Sequence, residues 1–177
     1  YLDCDENQTL YAEALTVFQD VIEMELELDE ITRKLMSENS IELIEKQLRL
    51  TEEIERRDGL VYEAKTKSAL LGLGFSSADL TLKVSNLSGG QRSKLSLCKL
   101  LLSNANLLLL DEPTNNLDID AIAWLEDFLI KYKGAFIVVS HDRYFLDKIT
   151  TSTMEIAHNK ITLTKGNYTV FQKLKAE

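Results

Sequence analysis

Two adjacent carboxylates, Asp111 and Glu112, close a run of leucines, Leu107 to Leu110, and a histidine, His141, follows a second apolar run, Ala135 to Val139. Upstream of both lies Ser88-Gly89-Gly90-Gln91 at the head of a helical pattern. A glycine pair leaves backbone N–H groups unobstructed above a helix N-terminus, the arrangement that receives a phosphate. Carboxylates at the C-terminal edge of a strand sit where open α/β sheets keep their ligands. They divide into two tasks, Asp111 holding Mg²⁺ and Glu112 orienting or deprotonating water, and hydrolysis of a phosphoanhydride needs both. His141, emerging at the same edge, is placed to reach a γ-phosphate. His158 is the contrast: in Ala157-His158-Asn159-Lys160 it reads as a surface hairpin residue between strands at Met154 to Ala157 and Lys160 to Thr164.

These residues must be held by regular elements. The leucine run is too short and too uniformly apolar for a half-exposed strand, so it and Ala135 to Val139 read as buried strands of a parallel sheet. Ser88 is an N-cap, a role compatible with a hydroxyl meeting a phosphate, for a helix from about Gln91 to Ser103 that buries Leu95, Cys98, Leu101 and Leu102. Asp118 caps a helix from Ile119 to Tyr132, which Gly134 ends. Ahead of all this, Leu10, Ala14, Val17, Val21, Met24, Leu28, Ile31 and Leu35 alternate at spacings of four and three, the seam of a helix from Thr9 to Met36 packed along a partner. Asn39 with Glu42 resembles a capping box for that partner, whose stripe is Leu43, Leu50, Ile54 and Val61, with Ile41, Ile44 and Leu48 beside it. The pair predicts an antiparallel helical hairpin. Acidic residues Glu23, Glu25, Glu27, Asp29 and Glu30 crowd one helix, whereas Arg33, Lys34, Lys46 and Arg49 flank the tip, the part whose sign permits contact with RNA phosphates.

The 177 residues suit one ordinary domain, and 45% hydrophobic content supports a sizeable core. No stretch approaches the roughly 18 apolar residues of a membrane span. A net charge of −9 sets the average field against nucleic acid, so any such contact is local. Cys4 and Cys98 are too few for a disulfide framework or a zinc site, which points to a reducing, cytoplasmic setting.

The motifs together resemble the ATP-binding cassette superfamily: Leu87 to Gln91 as its LSGGQ signature, Leu107 to Pro113 as the Walker B strand, Asn115 to Asp118 as the D-loop and Ser140-His141-Asp142 as the H-loop. Tyr1-Leu2 resembles the start of the Q-loop segment Y-L-x-Q, but Cys4 stands where that family has glutamine. No G-x-x-x-x-G-K-[ST] phosphate loop is present. The expectation is an incomplete cassette whose N-terminal portion lies on a longer polypeptide. The length between Tyr1 and Leu87, with Asp58 to Lys65 and Leu70 to Phe75, resembles the arm of ABC-F proteins and its re-entry. Asn116 departs from their usual N-H-L-D.

The resemblance implies an α/β fold, part of a P-loop NTPase of the cassette type, with an inserted arm hairpin and a C-terminal β-hairpin. Its expected segments are 1–9, a Q-loop remnant; 10–83, the helical subdomain with the arm; 84–165, the signature, Walker B, D-loop and H-loop part; and 166–177, the start of a linker between cassettes. It also implies ATP and Mg²⁺ as cofactors. Asp111 would hold the metal, and Glu112 and His141 would act in catalysis. Ser88, Gly89, Gly90 and Gln91 would cap the ATP of a second cassette of the same polypeptide, towards which Asn116, Leu117 and Asp118 reach. The implied partner is the ribosome, through rRNA or tRNA, in translation or antibiotic resistance, with no membrane subunit. Rival readings are a transporter's nucleotide-binding subunit, a chromosome-maintenance ATPase and a non-catalytic interaction module. The chain alone, without the phosphate loop, is expected to be inactive, and its open sheet to self-associate.

Overall fold

The computed structural model describes residues 4–57 and 59–176. Tyr1-Leu2, read as the start of the Q-loop, and Asp58 lie outside the described residues. The chain divides into two units, one running to Leu71 and including Ser76–Ser103, the other comprising Gly72–Phe75 and the chain from Asn104 onward.

In the first unit the helical segment is tied off where it begins and ends. Leu10 N donates to Leu82 O at 2.8 Å and Val84 N to Gln8 O at 2.9 Å, around an antiparallel bridge between Thr9 and Lys83. Thr9 caps α1 (Leu10–Leu15), its hydroxyl accepting from Ala12 N. The single helix expected from Thr9 to Met36 is broken: a 3₁₀ turn, Thr16–Phe18, separates α1 from α2 (Gln19–Leu35). The cause is local. Thr16 and Val17 are consecutive β-branched residues, Thr16 Oγ1 bonds back to Glu13 O at 2.8 Å, and Phe18 takes φ −105° and ψ 23° to bury its ring against Tyr62, 5.4 Å between centroids.

Helix α2 packs antiparallel to α3 (Ile41–Arg56). Gln47 donates to Thr32 Oγ1 at 3.0 Å, Lys46 pairs with Glu27 at 2.5 Å, and Arg57 pairs with Asp20. Asp20, at the start of α2, meets Arg57 just past the end of α3, while Thr32, near the end of α2, meets Gln47 in the first half of α3, as an antiparallel hairpin requires. Ser40, one residue beyond the expected Asn39, is the cap, accepting from Leu43 N at 3.3 Å. Helix α3 also stops short of Val61, because Gly59 N turns back onto Ile54 O at 2.8 Å; α4 (Tyr62–Gly72) follows. Val21, Ile31 and Ile54 are buried between the elements, whereas Ile41, Ile44 and Leu48 are exposed. Helix α5 (Gly89–Leu102) buries Leu95, Cys98, Leu101 and Leu102 as its periodicity predicts. Burial pushes the Cys98 thiol up to about 12. A buried ion pair, Glu13 with Lys99, joins α1 to α5.

In the second unit β1 (Leu107–Asp111) and β2 (Ala135–Val139) pair in parallel, Leu107 opposite Ala135 through Asp111 opposite Val139. Helix α6 (Ile119–Lys131) connects them, and α7 (Arg143–Ile149) follows β2. Glu126 of α6 and Lys148 of α7 form a 2.6 Å ion pair. Gly134 does not end α6, which stops at Tyr132 in extended backbone. Its hydrogen faces the Tyr132 ring and the Ala105 and Asn106 carbonyls, where a Cβ would come within 3.0 Å of each, so glycine serves a close approach there. The hairpin β3 (Ser152–Ala157) and β4 (Lys160–Lys165) turns at His158 and Asn159, both at positive φ. Helix α8 (Tyr168–Ala176) packs against α7 and β3, burying Phe171, so the described part of the expected linker lies on this unit.

Their composition suggests fully buried strands, and the structure does not bear this out. Leu108 and Leu110 are 0% and 4% exposed, but Leu109 is 66% and Val139 60% exposed, with Leu107 and Ile137 beside them. The pleat sends alternate side chains to opposite faces, and one apolar face of this parallel pair is uncovered. The hairpin shows a second such face, Met154 opposite Leu163 and Ile156 opposite Ile161. Open apolar faces of this kind favour association. The isolated chain is therefore expected to bind the dye ANS and to sediment as an oligomer, and Leu109→Lys with Ile137→Glu to reduce both at little cost in stability, about 0.5 kcal/mol. A dye-silent monomer before substitution contradicts this.

Candidate functional site

The site in the second unit grows from the end of β1. Strand pairing continues one rung past Asp111, with Glu112 N donating to Val139 O at 2.8 Å. Glu112 then takes φ +46°, a left-handed conformation that turns the chain off the strand. The residues after β2 are thereby brought to the Glu112 carboxylate. His141 N donates to Glu112 Oε2 at 3.3 Å, Ser140 Oγ donates to the same oxygen at 3.5 Å, and His141 Nε2 lies 3.5 Å from Oε1. The His141 side chain is fully exposed and Glu112 largely shielded. A carboxylate and an imidazole within reach of one another at an open edge can share a water or a phosphate oxygen.

Asp111 is exposed at the strand end, opposite Val139. Among the described residues no group of three or more His, Cys, Asp or Glu side chains could by itself hold a metal ion. One exposed carboxylate suits Mg²⁺ that keeps its waters and takes phosphate oxygens for the rest of its shell, so the donor set fits that ion when a nucleotide accompanies it.

The Asn115–Asp118 turn begins with Asn115 N donating to Glu112 O at 3.1 Å, and Asn116 stands at φ +65°. Leu117 is half-buried, and Asp118 caps α6, accepting from Ala121 N at 2.8 Å. The Asp118 carboxylate thus has a structural duty in this chain.

Ser88-Gly89-Gly90-Gln91 lies in the first unit. Ser88 Oγ accepts from Gln91 N at 3.3 Å while Gln91 Oε1 accepts from Ser88 N at 2.9 Å, a reciprocal capping box. The first-turn amides of Gly89 and Gly90 have no carbonyl to bond within the helix. A Cβ at Gly89 would meet nothing within 4 Å, so an anion can approach this turn. Arg92 braces the approach segment, donating to Glu6 at 2.9 Å and to the Leu87 and Ser85 carbonyls.

Cys4, expected at the Q-loop position, lies beside the buried Glu13 carboxylate, which also accepts from Asp5 N at 3.1 Å. Burial, reinforced by that carboxylate, raises the Cys4 thiol above its usual value. Sequence reasoning missed the Glu13–Lys99 pair at this spot, since nothing local marks a glutamate in an acidic helix as buried. It also passed over Ser140 except as a motif letter, although a serine at a strand's C-terminal end beside a candidate histidine was a signal.

A family model described as ABC transporter matches residues 6–115. The energy-dependent translational throttle protein EttA of Mycobacterium tuberculosis is 41% identical over 149 residues, 84% of this chain and 26% of that protein. ABC transporter F family member 2 of Dictyostelium discoideum is 41% identical over 126 residues, 71% of this chain and 21% of that protein. The chain thus spans about a quarter or less of the curated relatives it matches. A solved dimeric ATP-binding cassette, in a post-hydrolysis state bound to ADP and Pi, superposes with a TM-score of 0.50 at 17% identity, over 92% of this chain and 59% of that one, a likeness of fold.

Left-handed backbone at Asn116 makes a prediction. Asn116→Gly is expected to leave chemical-denaturation stability within about 0.5 kcal/mol, while Asn116→Val, β-branched at positive φ, loses on the order of 1–2 kcal/mol. Equal effects from the two would mean that the turn relaxes freely.

Proposed function

This chain belongs to the ABC transporter family of ATP-binding cassettes, and from that premise we propose that it is part of the first cassette of an ABC-F ATPase, which binds and hydrolyses ATP between two cassettes. The observation that carries the reading is the convergence of Glu112 and His141 at the ends of two parallel strands.

In the proposed mechanism Asp111 would hold Mg²⁺, and Glu112 accepts a proton from the water that attacks the γ-phosphate. His141 steadies the γ-phosphate. Mg²⁺, when bound with ATP, neutralises charge developing on the phosphates. Ser88 to Gln91 present the open turn at the head of α5 to the ATP of the second cassette. Asn116, Leu117 and Asp118 face that cassette, Asp118 while still capping α6. The loop that wraps the phosphates lies upstream on the same polypeptide, and the exposed face of β1 and β2 packs against that part. The inventory of 1–9 as Q-loop remnant, 10–83 as helical subdomain and arm, 84–165 as the remaining core motifs and 166–177 as the opening of the linker belongs to the same proposal.

A ribosomal role follows as the finer part of the reading. One relative is named a translational throttle protein and another an ABC transporter F family member. The two similarities extend over 84% and 71% of this chain. The partner is the ribosome, through rRNA or tRNA, and the setting the cytoplasm, in translation or in protection against ribosome-targeting antibiotics. Near the hairpin tip Arg33, Lys34 and Arg49 are exposed, whereas Lys46 is engaged by Glu27, so contact with phosphates falls to the first three. The transporter alternative rests on the family description itself. Among the described residues no helix is long and apolar enough to cross a membrane, and a transporter subunit would instead copurify with membrane-spanning partners.

The test is Glu112→Gln in the complete polypeptide carrying this segment. Steady-state hydrolysis is expected to fall by on the order of a hundredfold or more while ATP binding persists. The 177-residue chain alone is expected to show no turnover. Normal hydrolysis by the Glu112→Gln protein would refute the assignment.

A further inference from the structure

The two oxygens of the Glu112 carboxylate are not equivalent. Oε2 receives both the His141 amide, at 3.3 Å, and the Ser140 hydroxyl, at 3.5 Å; Oε1 faces the His141 ring nitrogen. Ser140 Oγ has its own orientation fixed from the other side, since it accepts the Asp142 amide at 3.1 Å. A hydroxyl has one proton to give. With a lone pair engaged by Asp142, the geometry leaves that proton for Glu112.

We propose that Ser140 is a positioning residue for Glu112: with the His141 amide it anchors Oε2 and so presents Oε1 to the reacting water beside His141. The inference rests on the reading of Glu112 as the water-activating group and deepens it by adding a side chain that acts through Glu112 without touching substrate. Strand register supports it independently. Asp111 lies opposite Val139, and Glu112 continues the ladder by bonding the Val139 carbonyl, so the next residue on each strand is Glu112 on one and Ser140 on the other. Glu112 also leaves β1 at φ +46°, in a conformation that glutamate adopts at a cost. Hydrogen bonds with Val139, Ser140 and His141 at the end of the neighbouring strand hold it there. The Ser140 bond is long, as catalytic hydrogen bonds often are before substrate arrives.

The main competing role for Ser140 is purely structural: bracing the turn into α7 by accepting the Asp142 amide. The two roles separate in the kinetics of the complete polypeptide. Ser140→Ala is expected to lower kcat roughly ten- to a hundredfold while the KM for ATP and the melting temperature stay near those of the unsubstituted protein. Ser140→Thr, which keeps the hydroxyl, recovers most of the loss. In a Glu112→Gln background, Ser140→Ala changes ATP affinity no further. A normal kcat for Ser140→Ala, or a fall in kcat that comes with a lower melting temperature and is not recovered by threonine, overturns the proposal. The same series tells its failure from failure of the underlying reading: if Glu112→Gln is inactive and Ser140→Ala is normal, only the positioning role falls. If Glu112→Gln hydrolyses ATP normally, the assignment of Glu112 falls and the role of Ser140 with it.

Discussion

Parallel pairing of Leu107–Asp111 with Ala135–Val139 is the constraint from which the candidate catalytic edge follows. Parallel strands present both C-terminal ends on one side of the sheet, so residues far apart in sequence leave it together. Asp111 and Glu112 come from one end, Ser140 and His141 from the other. The register matters as much as the direction. A slip by one residue would reverse which side chains face the covered side and withdraw the Val139 carbonyl from Glu112 N. Leu108 and Leu110 on the covered face set this register, and the Trp124, Phe128 and Tyr132 row along α6, with centroids 5.4 and 5.9 Å apart, adds aromatic packing on the helix that connects the strands.

The helical unit solves a different problem: it carries the α2–α3 hairpin yet returns the chain to the turn at Ser88–Gln91. Pairing of residues 8–10 with 82–84 closes the helical segment at its base. The Glu13–Lys99 pair then fixes α1 to α5, the helix whose first turn is the open Gly89-Gly90 segment. A buried ion pair adds little net stability, because desolvating both charges offsets much of their attraction, but removing either partner would leave the other charge buried and unpaired. Here it also places a carboxylate beside Cys4, so Cys4 is linked to α5 through Glu13.

Much of this was legible because it is local. The Ser88 and Asp118 caps, the hairpin turn at His158 and the buried face of α5 each depend on residues a few positions apart, which periodicity and capping rules read directly. What failed depended on partners distant in sequence. The leucine run gave no sign that one face would be open, because strand composition reports what a face is suited to meet and not what covers it. The break at Thr16–Phe18 was hidden beneath a continuous heptad pattern, since a 3₁₀ turn preserves the stripe while changing the backbone. Gly134 read as a helix end but is required by the carbonyls of the preceding loop, and Ser140 gained meaning only once strand register set it beside Glu112.

The central claim is that Asp111, Glu112 and His141 grip one nucleotide while Ser88 to Gln91 grip another. A structure of the complete polypeptide with Mg²⁺ and ATP, trapped by the Glu112→Gln substitution, tests it most directly. The account predicts a γ-phosphate within hydrogen-bond reach of His141 and of the residue at 112, Mg²⁺ water-bridged to Asp111, and the Gly89 and Gly90 amides on the phosphates of a second ATP. A nucleotide bound elsewhere, or one ATP touched by the signature turn and the β1 edge of the same chain, would contradict it.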